Sequence, residues 1–458
     1  MDSPIPRVQT FRQPGAPFPV GAEGSGDGGM TGNLSEMDQE LRRDYPGWRV
    51  AGASAVASMA GFAPILIYTF GILLKSVTAE FGWSRETISV AFGCASFTLG
   101  LSSPVLGWLL DNYGPRRVIA PCIVIFALAF ASLSLLTNNR IQLFGTFIVI
   151  GAVGNATAQM GYARVVVTWF QRHRGMALAV MIAGSSVGSV IVPFVAQRLI
   201  LQSGWRATYA ILGCAPLLIA LPLVVGFVRE RSGCRASNSM ALLPGTAVAA
   251  AVRSRPFWIL AFTLFLTAMS TTGILTHLSA LLTDKGVSMG GAAAAVSVVA
   301  GTGILGRLCT GWLLDRAFGP RVNMVLLFTT ACGLLLLSNA QSVRSGILAA
   351  ALIGFSMGGE SDVTPYLLGR YYGLRCFATL YGLTWTAYAV AAALGSVLLG
   401  RAFDATGSYA LALLRLAILV FVAGILMILM PRYPKEDAVA GREELPLTAT
   451  DVPVPEQA

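Results

Sequence analysis

Arg307 is the side chain in this 458-residue sequence whose position most needs a chemical reason. It stands inside VVAGTGILGRLCTGWLL (298–314), a stretch otherwise made of small and apolar residues with two threonines and a cysteine. An ionised side chain at the centre of such a span costs about 2.5–3.5 kcal/mol unless it has a partner or a task. Leu314 follows seven residues later, about 10 Å along a helix axis. A guanidinium presents a planar fork that can hold both oxygens of a carboxylate, which makes Arg307 a candidate substrate-binding residue. Glu360 and Asp362, in SMGGESDV (356–363) of another apolar run, offer the alternative of a fixed ion pair with Arg307. The two readings also combine. The acids hold Arg307 while the site is empty, an anion displaces them, and Glu360 or Asp362 serves as a charge-coupling group that takes a proton.

Neutral polar residues inside the apolar runs are further candidates for a binding site. Asn155, Gln159 and Tyr162 are spaced four and three residues apart, which places them on one face of a continuous helix. Tyr366, His277, Tyr68 and Tyr388 join them as candidate substrate contacts, although polar residues in such helices also serve as packing hydrogen bonds. The other histidine, His173, sits in a basic segment, QRHR. The sequence contains no Walker-type phosphate loop and no arrangement of residues suited to a metal or to a nucleophile with its base. The expectation is a protein that is not an enzyme and needs no cofactor or metal.

These residues must be positioned by membrane-spanning helices. Hydrophobic residues make up 55% of the chain and charged residues 12%, against about 25% charged in ordinary globular proteins. Spans are predicted at roughly 48–74, 87–110, 117–136, 142–163, 175–199 and 207–228, then 256–283, 291–314, 322–338, 345–368, 376–400 and 408–430. The predicted fold class is an all-α membrane protein with twelve transmembrane helices in two six-helix, pseudo-symmetric halves. Its divisions are a disordered cytoplasmic tail (1–46), a first half (47–228), an interdomain loop (229–255), a second half (256–431) and a second tail (432–458). The N-terminal segment has no apolar core of the kind a signal peptide needs.

The net charge of +10 comes from Arg and Lys between apolar runs, not from a basic folded face, so no nucleic-acid partner is expected. The cations favour one side of the membrane: Arg42, Arg43, Arg49, Arg116, Arg117, Arg164, Arg172, Arg174, Arg229, Arg231, Arg235 and Lys435 among them, against Lys75, Arg85, Arg140, Arg198, Arg206 and Lys285 opposite. The positive-inside rule then puts both termini in the cytoplasm of a plasma (inner) membrane. The cysteines, Cys234 among them, are scattered and form no CxxC pair, so neither a disulfide framework nor a zinc site is expected.

GWLLDNYGPRR from Gly107 returns as GWLLDRAFGPR from Gly311, an internal repeat of the kind that alternating-access transporters carry. The first copy, with Gly107, Asp111, Gly114, Arg116 and Arg117, resembles the loop between helices 2 and 3 of the major facilitator superfamily. The second copy keeps Asp315 and Arg321 with one extra residue before Gly319. In that family the loop gates the cytoplasmic side. YPGWRV (45–50), FGILLKSVTAEFGWSRETIS (70–89), WFQRHRGMALAV (169–180), YYGLRCFATLYGL (371–383) and LLGRAFDATGSY (398–409) resemble the monocarboxylate transporters and the oxalate:formate antiporters.

That resemblance implies a small carboxylate substrate, transport by proton symport or anion exchange, and a role for Arg307 as the arginine that binds the carboxylate. The sequence departs from these relatives at three places. Gly303 occupies the position of an aspartate four residues before the arginine, the first span has no lysine between Ile65 and Tyr68, and Thr384, Trp385, Thr386 and Tyr388 stand where an eleventh-helix lysine is expected. One buried cation points to a monocarboxylate rather than a dicarboxylate. The expected protein is a monomeric secondary carrier in the lipid bilayer. A hydrophobe exporter of the same superfamily and a non-transporting sensor are the alternatives.

Overall fold

Lipid offers the backbone no hydrogen-bond partners, so runs of this length and apolarity satisfy their peptide groups as helices. The computed structural model describes residues 40, 42, 44–229, 245–340 and 342–434. Most of both expected tails, residues 230–244 of the connecting segment, and with them Arg43, Arg231, Cys234, Arg235 and Lys435, lie outside the described residues, as do the side chains of Lys75 and Arg85.

Ten segments are long and apolar enough to cross a membrane by length and composition. One of them, Arg174–Gly226, has 53 residues, which is too long for one crossing of a core about 30 Å thick. It is broken at Gly204, whose φ is 77°. The 30-residue helix Val343–Tyr372 is not among the ten, and it carries Glu360 and Asp362. Counting it, and both parts of the broken segment, gives the twelve-helix architecture.

In chain order, α1 is Pro46–Met59 continued through a π-helical turn, Ala63–Ile67, into Tyr68–Phe81. α2 is Arg85–Tyr113 and α3 is Pro115–Ser132. α4 has two parts, Arg140–Gly154 and Gln159–Trp169. α5 and α6 lie before and after the Gly204 break. α7 is Arg255–Asp284, α8 Met289–Leu314 and α9 Gly319–Ser338. α10 is Val343–Tyr372, α11 Phe377–Thr406 and α12 Ala410–Leu426. Within the halves α1 packs on α5 and α2 on α4, as α7 packs on α11 and α8 on α10; α2–α11 and α5–α8 pack between the halves.

The helix starts explain how the two ends of the bundle differ. At one end α2, α4, α8 and α10 begin with their own side-chain caps, Ser84, Asn139, Ser288 and Ser342, each accepting from an N–H of the first turn. At the other end, where both repeat motifs lie, α1, α3, α7 and α9 carry proline at the first or second position, which has no N–H to satisfy. α5 and α11 also start at this motif end, with neither device: neither His173 nor Cys376 caps its helix with a side chain.

Candidate functional site

The uncapped starts of α5 and α11 are completed from the opposite half. Asp111, buried at the end of α2, accepts from Ala378 N at 3.1 Å and Thr379 N at 2.7 Å, and from the Thr379 hydroxyl. Arg164 of α4 donates to the same carboxylate and is itself buried. Asp315, just past α8, accepts from Gly175 N at 2.6 Å and Met176 N at 2.9 Å. A carboxylate at a helix N-terminus meets both the free N–H groups and the positive end of the dipole. Burial raises the Asp315 carboxyl above its ordinary range, opposed by the hydrogen bonds from Met176 and Gly175. Gly107 makes the α2 contact possible: a Cβ there would lie 2.2 Å from the Ala378 carbonyl oxygen. Arg117 and Arg321 are exposed at this surface and Arg116 is half-buried. Both cross-half contacts are formed, so the bundle is closed at the motif end.

Further in, Arg307 is buried where α5, α8 and α10 meet. Its Nη1 donates to the Ile182 carbonyl at 3.1 Å and to the Ser186 hydroxyl, both on α5. Its Nη2 donates to Ser361 Oγ at 2.7 Å, and its Nε to the Gly358 carbonyl at 3.4 Å. Asp362 Oδ1 lies 3.6 Å from Nε, an ionic contact rather than a hydrogen bond. The fully buried Asp362 leaves its Oδ2 without a hydrogen-bond partner among the described residues. Arg307 therefore joins the two halves, and its counter-ion is Asp362. Glu360 takes another direction: its Oε1 accepts from Ser356 Oγ at 3.2 Å and Thr330 Oγ1 at 3.3 Å. Gly303 is a crossing point. A Cβ on Gly358 would lie 1.9 Å from the Gly303 carbonyl oxygen, so α8 and α10 meet there by backbone.

Beside this network is a cavity of about 160 Å³ between α4, α7, α10 and α11. Gln159, Thr267, Thr271, Glu360, Ser361, Thr364 and Thr384 supply its polar wall, and Leu264, Ala268 and Met357 its aliphatic one. Tyr381, Trp385 and Tyr388 line it from one face of α11, with ring centroids 6.3 and 5.1 Å apart in succession. Glu360 is the only acidic side chain among the lining residues, and none of them is Lys or Arg. Ser361 belongs both to the cavity and to the Arg307 network.

The remaining sequence candidates lie in different places. α4 is not continuous: a 3-10 turn, Asn155–Thr157, and extended backbone at Ala158 interrupt it, so Asn155, Gln159 and Tyr162 do not share one helical face. Of the three only Gln159 lines the cavity. Asn155 donates to Ser103 Oγ at 2.7 Å, and Tyr162 is fully buried in the core, its hydroxyl without a hydrogen-bond partner among the described residues. Tyr366 donates to the Leu314 carbonyl at 2.7 Å near the motif end. His277 faces Tyr409 at 3.4 Å, and Tyr68 is 51% exposed. Tyr388 is at the cavity. Arg164 was missed by sequence reasoning, which counts it among loop cations. Its signal was weak but present: it follows a span with no break before the basic loop.

Two helical bundles, joined by a buried ionic network beside a small polar and aromatic cavity and latched at one end by helix caps, define a multi-pass membrane transporter. The chain belongs to the Major Facilitator Superfamily, whose sequence pattern matches residues 55–396. It is a transporter and not an enzyme. Monocarboxylate transporter 13 of Bos taurus is 24% identical over 421 residues, 90% of this chain and 96% of that protein. An MFS-type transporter of Gibberella moniliformis is 28% identical over 333 residues, 71% and 77% of the two chains. Among solved structures, the E. coli fucose:proton symporter superposes with a TM-score of 0.67 at 17% identity, covering 85% of this chain and all of that one. The human organic anion transporter MFSD10 gives 0.67 at 15%, covering 84% and all of it. At those identities the structural likeness concerns the fold.

Proposed function

We propose that this protein is a secondary carrier of a small monocarboxylate, coupled to protons, with the motif end and both termini in the cytoplasm of the plasma (inner) membrane. The observation that carries the reading is the buried Arg307, which reaches the cavity wall through Ser361 and has one acidic partner, Asp362. A substrate carboxylate entering beside Ser361 competes with Asp362 for the guanidinium, and a bidentate geometry gives it the advantage. Release of Arg307 from Ile182 and Ser186 then loosens α5 from α8, which connects substrate binding to the movement of the two halves. Glu360 is the group that couples the proton. An anion in a cavity whose one acidic side chain is also ionised suffers like-charge repulsion in a medium of low dielectric, so anion and proton bind together. The monocarboxylate transporter among the relatives supports the substrate class.

The experiment is competition: uptake of one labelled monocarboxylate into proteoliposomes against a panel of unlabelled mono- and dicarboxylates and neutral amides. Monocarboxylates are expected to compete and their amides to fail. If no carboxylate moves or competes, the substrate class is wrong. A second reading has its own observation, since three aromatic rings and an acid line the cavity without a cation. That lining also suits an exported apolar cation, in which case Arg307→Lys leaves transport of such a compound intact.

A further inference from the structure

The turn that leads into α5 also presents backbone N–H groups, which Asp315 does not reach, and they are met from an unexpected place. Glu40 lies in the polar, glycine-rich segment before α1 and is buried, with 4% of its surface exposed. Its Oε1 accepts from Gln171 N at 2.8 Å, and its Oε2 from Arg172 N and His173 N, both at 3.1 Å. The His173 ring contributes Nδ1 at 3.2 Å from the same oxygen. Trp48 of α1 donates to the Glu40 carbonyl at 2.7 Å and stacks edge-on to Phe170 at 4.8 Å. Tyr45 packs on Phe170 as well, at 5.5 Å. The glutamate is therefore anchored to α1 while its carboxylate organises the turn between α4 and α5.

We infer that Glu40 is a positioning residue for closure of the motif end: it fixes the 171–173 turn so that Gly175 N and Met176 N are presented to Asp315. The two carboxylates divide one set of amides but belong to different halves. Asp315 arrives with α8 and must leave when the motif end opens. Glu40 is tied to α1, which packs on α5 within the first half, so it stays with the turn through that movement. Without it, three adjacent N–H groups have to be solvated and the turn loses the shape that receives Asp315. The cost then falls on the closed state, because only there are the following amides needed in register. This rests on the alternating-access part of the proposed function and not on the identity of the substrate.

Cys376 provides the readout. It is buried at the start of α11, beside the Asp111 contacts at the same end, so its reaction with a maleimide reports opening. The protein, in lipid nanodiscs and with its other cysteines replaced by serine, is labelled as Glu40→Ala, as Asp315→Asn, and as the double variant. Glu40→Ala is expected to label about three- to tenfold faster than its parent, and to add little in the Asp315→Asn background, as coupled groups do. Glu40→Gln, which keeps acceptor capacity at one atom, is expected to fall between them and serves if the alanine variant does not purify. Labelling at the parental rate overturns the inference, and so does an equal increase in both backgrounds. Failure of both variants to fold does the same, since Glu40 would then serve the fold and not closure. A carrier that moves no carboxylate but shows the expected labelling leaves the inference standing.

Discussion

Glu360 and Asp362 are two residues apart, which is about 200° around a helix, and this gives them different neighbours. Asp362 turns toward Arg307, while Glu360 turns toward Ser356, Thr330 and the cavity. Arg307 itself is held by groups on two other helices, so removing it outright leaves Asp362 buried and unpaired, at about 3–5 kcal/mol. Arg307→Lys is the better probe, because it keeps the charge and loses the fork. The expected result is a fall in carboxylate affinity of tenfold or more, measured as the Kd or KM for the labelled substrate, with the protein still folded. Unchanged affinity would count against bidentate binding. The presence of all three ionic residues was readable from the sequence, because charges inside apolar runs stand out. Their pairing was not, since the choice between Glu360 and Asp362 depends on how α10 is turned against α8.

At the scale of helices, the motif end is held by caps that α5 and α11 do not supply for themselves. A carboxylate from the opposite half completes each start, so the closed state satisfies amides that the open state must give to water. Gly107→Ala places a methyl group against the Ala378 carbonyl, and such overpacking costs about 1–3 kcal/mol. It should destabilise the closed motif end, seen as faster maleimide labelling of Cys376 and slower uptake. Labelling at the wild-type rate would mean that α2 and α11 separate by another surface. The motif was readable in the sequence as a repeat. The partners of Arg164 and Glu40 were not readable, because they are 53 and more than 130 residues away. The interruption of α4 was hidden for another reason: Asn155–Ala158 contains no proline, and the polar Asn155, Thr157 and Gln159 sit between apolar stretches that together read as one span.

For the whole molecule, hydropathy placed the spans close to the helices found, because length and apolarity are properties of each segment alone. α10, the long helix that falls outside the ten most apolar segments, carries two of the three ionic residues, Glu360 and Asp362. The two halves meet at three levels: the capped helix starts, the Arg307 network and the cavity wall from α4 to α11. Opening one end means exchanging those contacts. The most direct test of the account is accumulation of a labelled monocarboxylate in proteoliposomes under an inward proton gradient, with wild type and Glu360→Gln side by side. Wild type is expected to concentrate the substrate above equilibrium only with the gradient, and Glu360→Gln to lose accumulation while still exchanging substrate. Accumulation that ignores the gradient, or persists unchanged in Glu360→Gln, would contradict it.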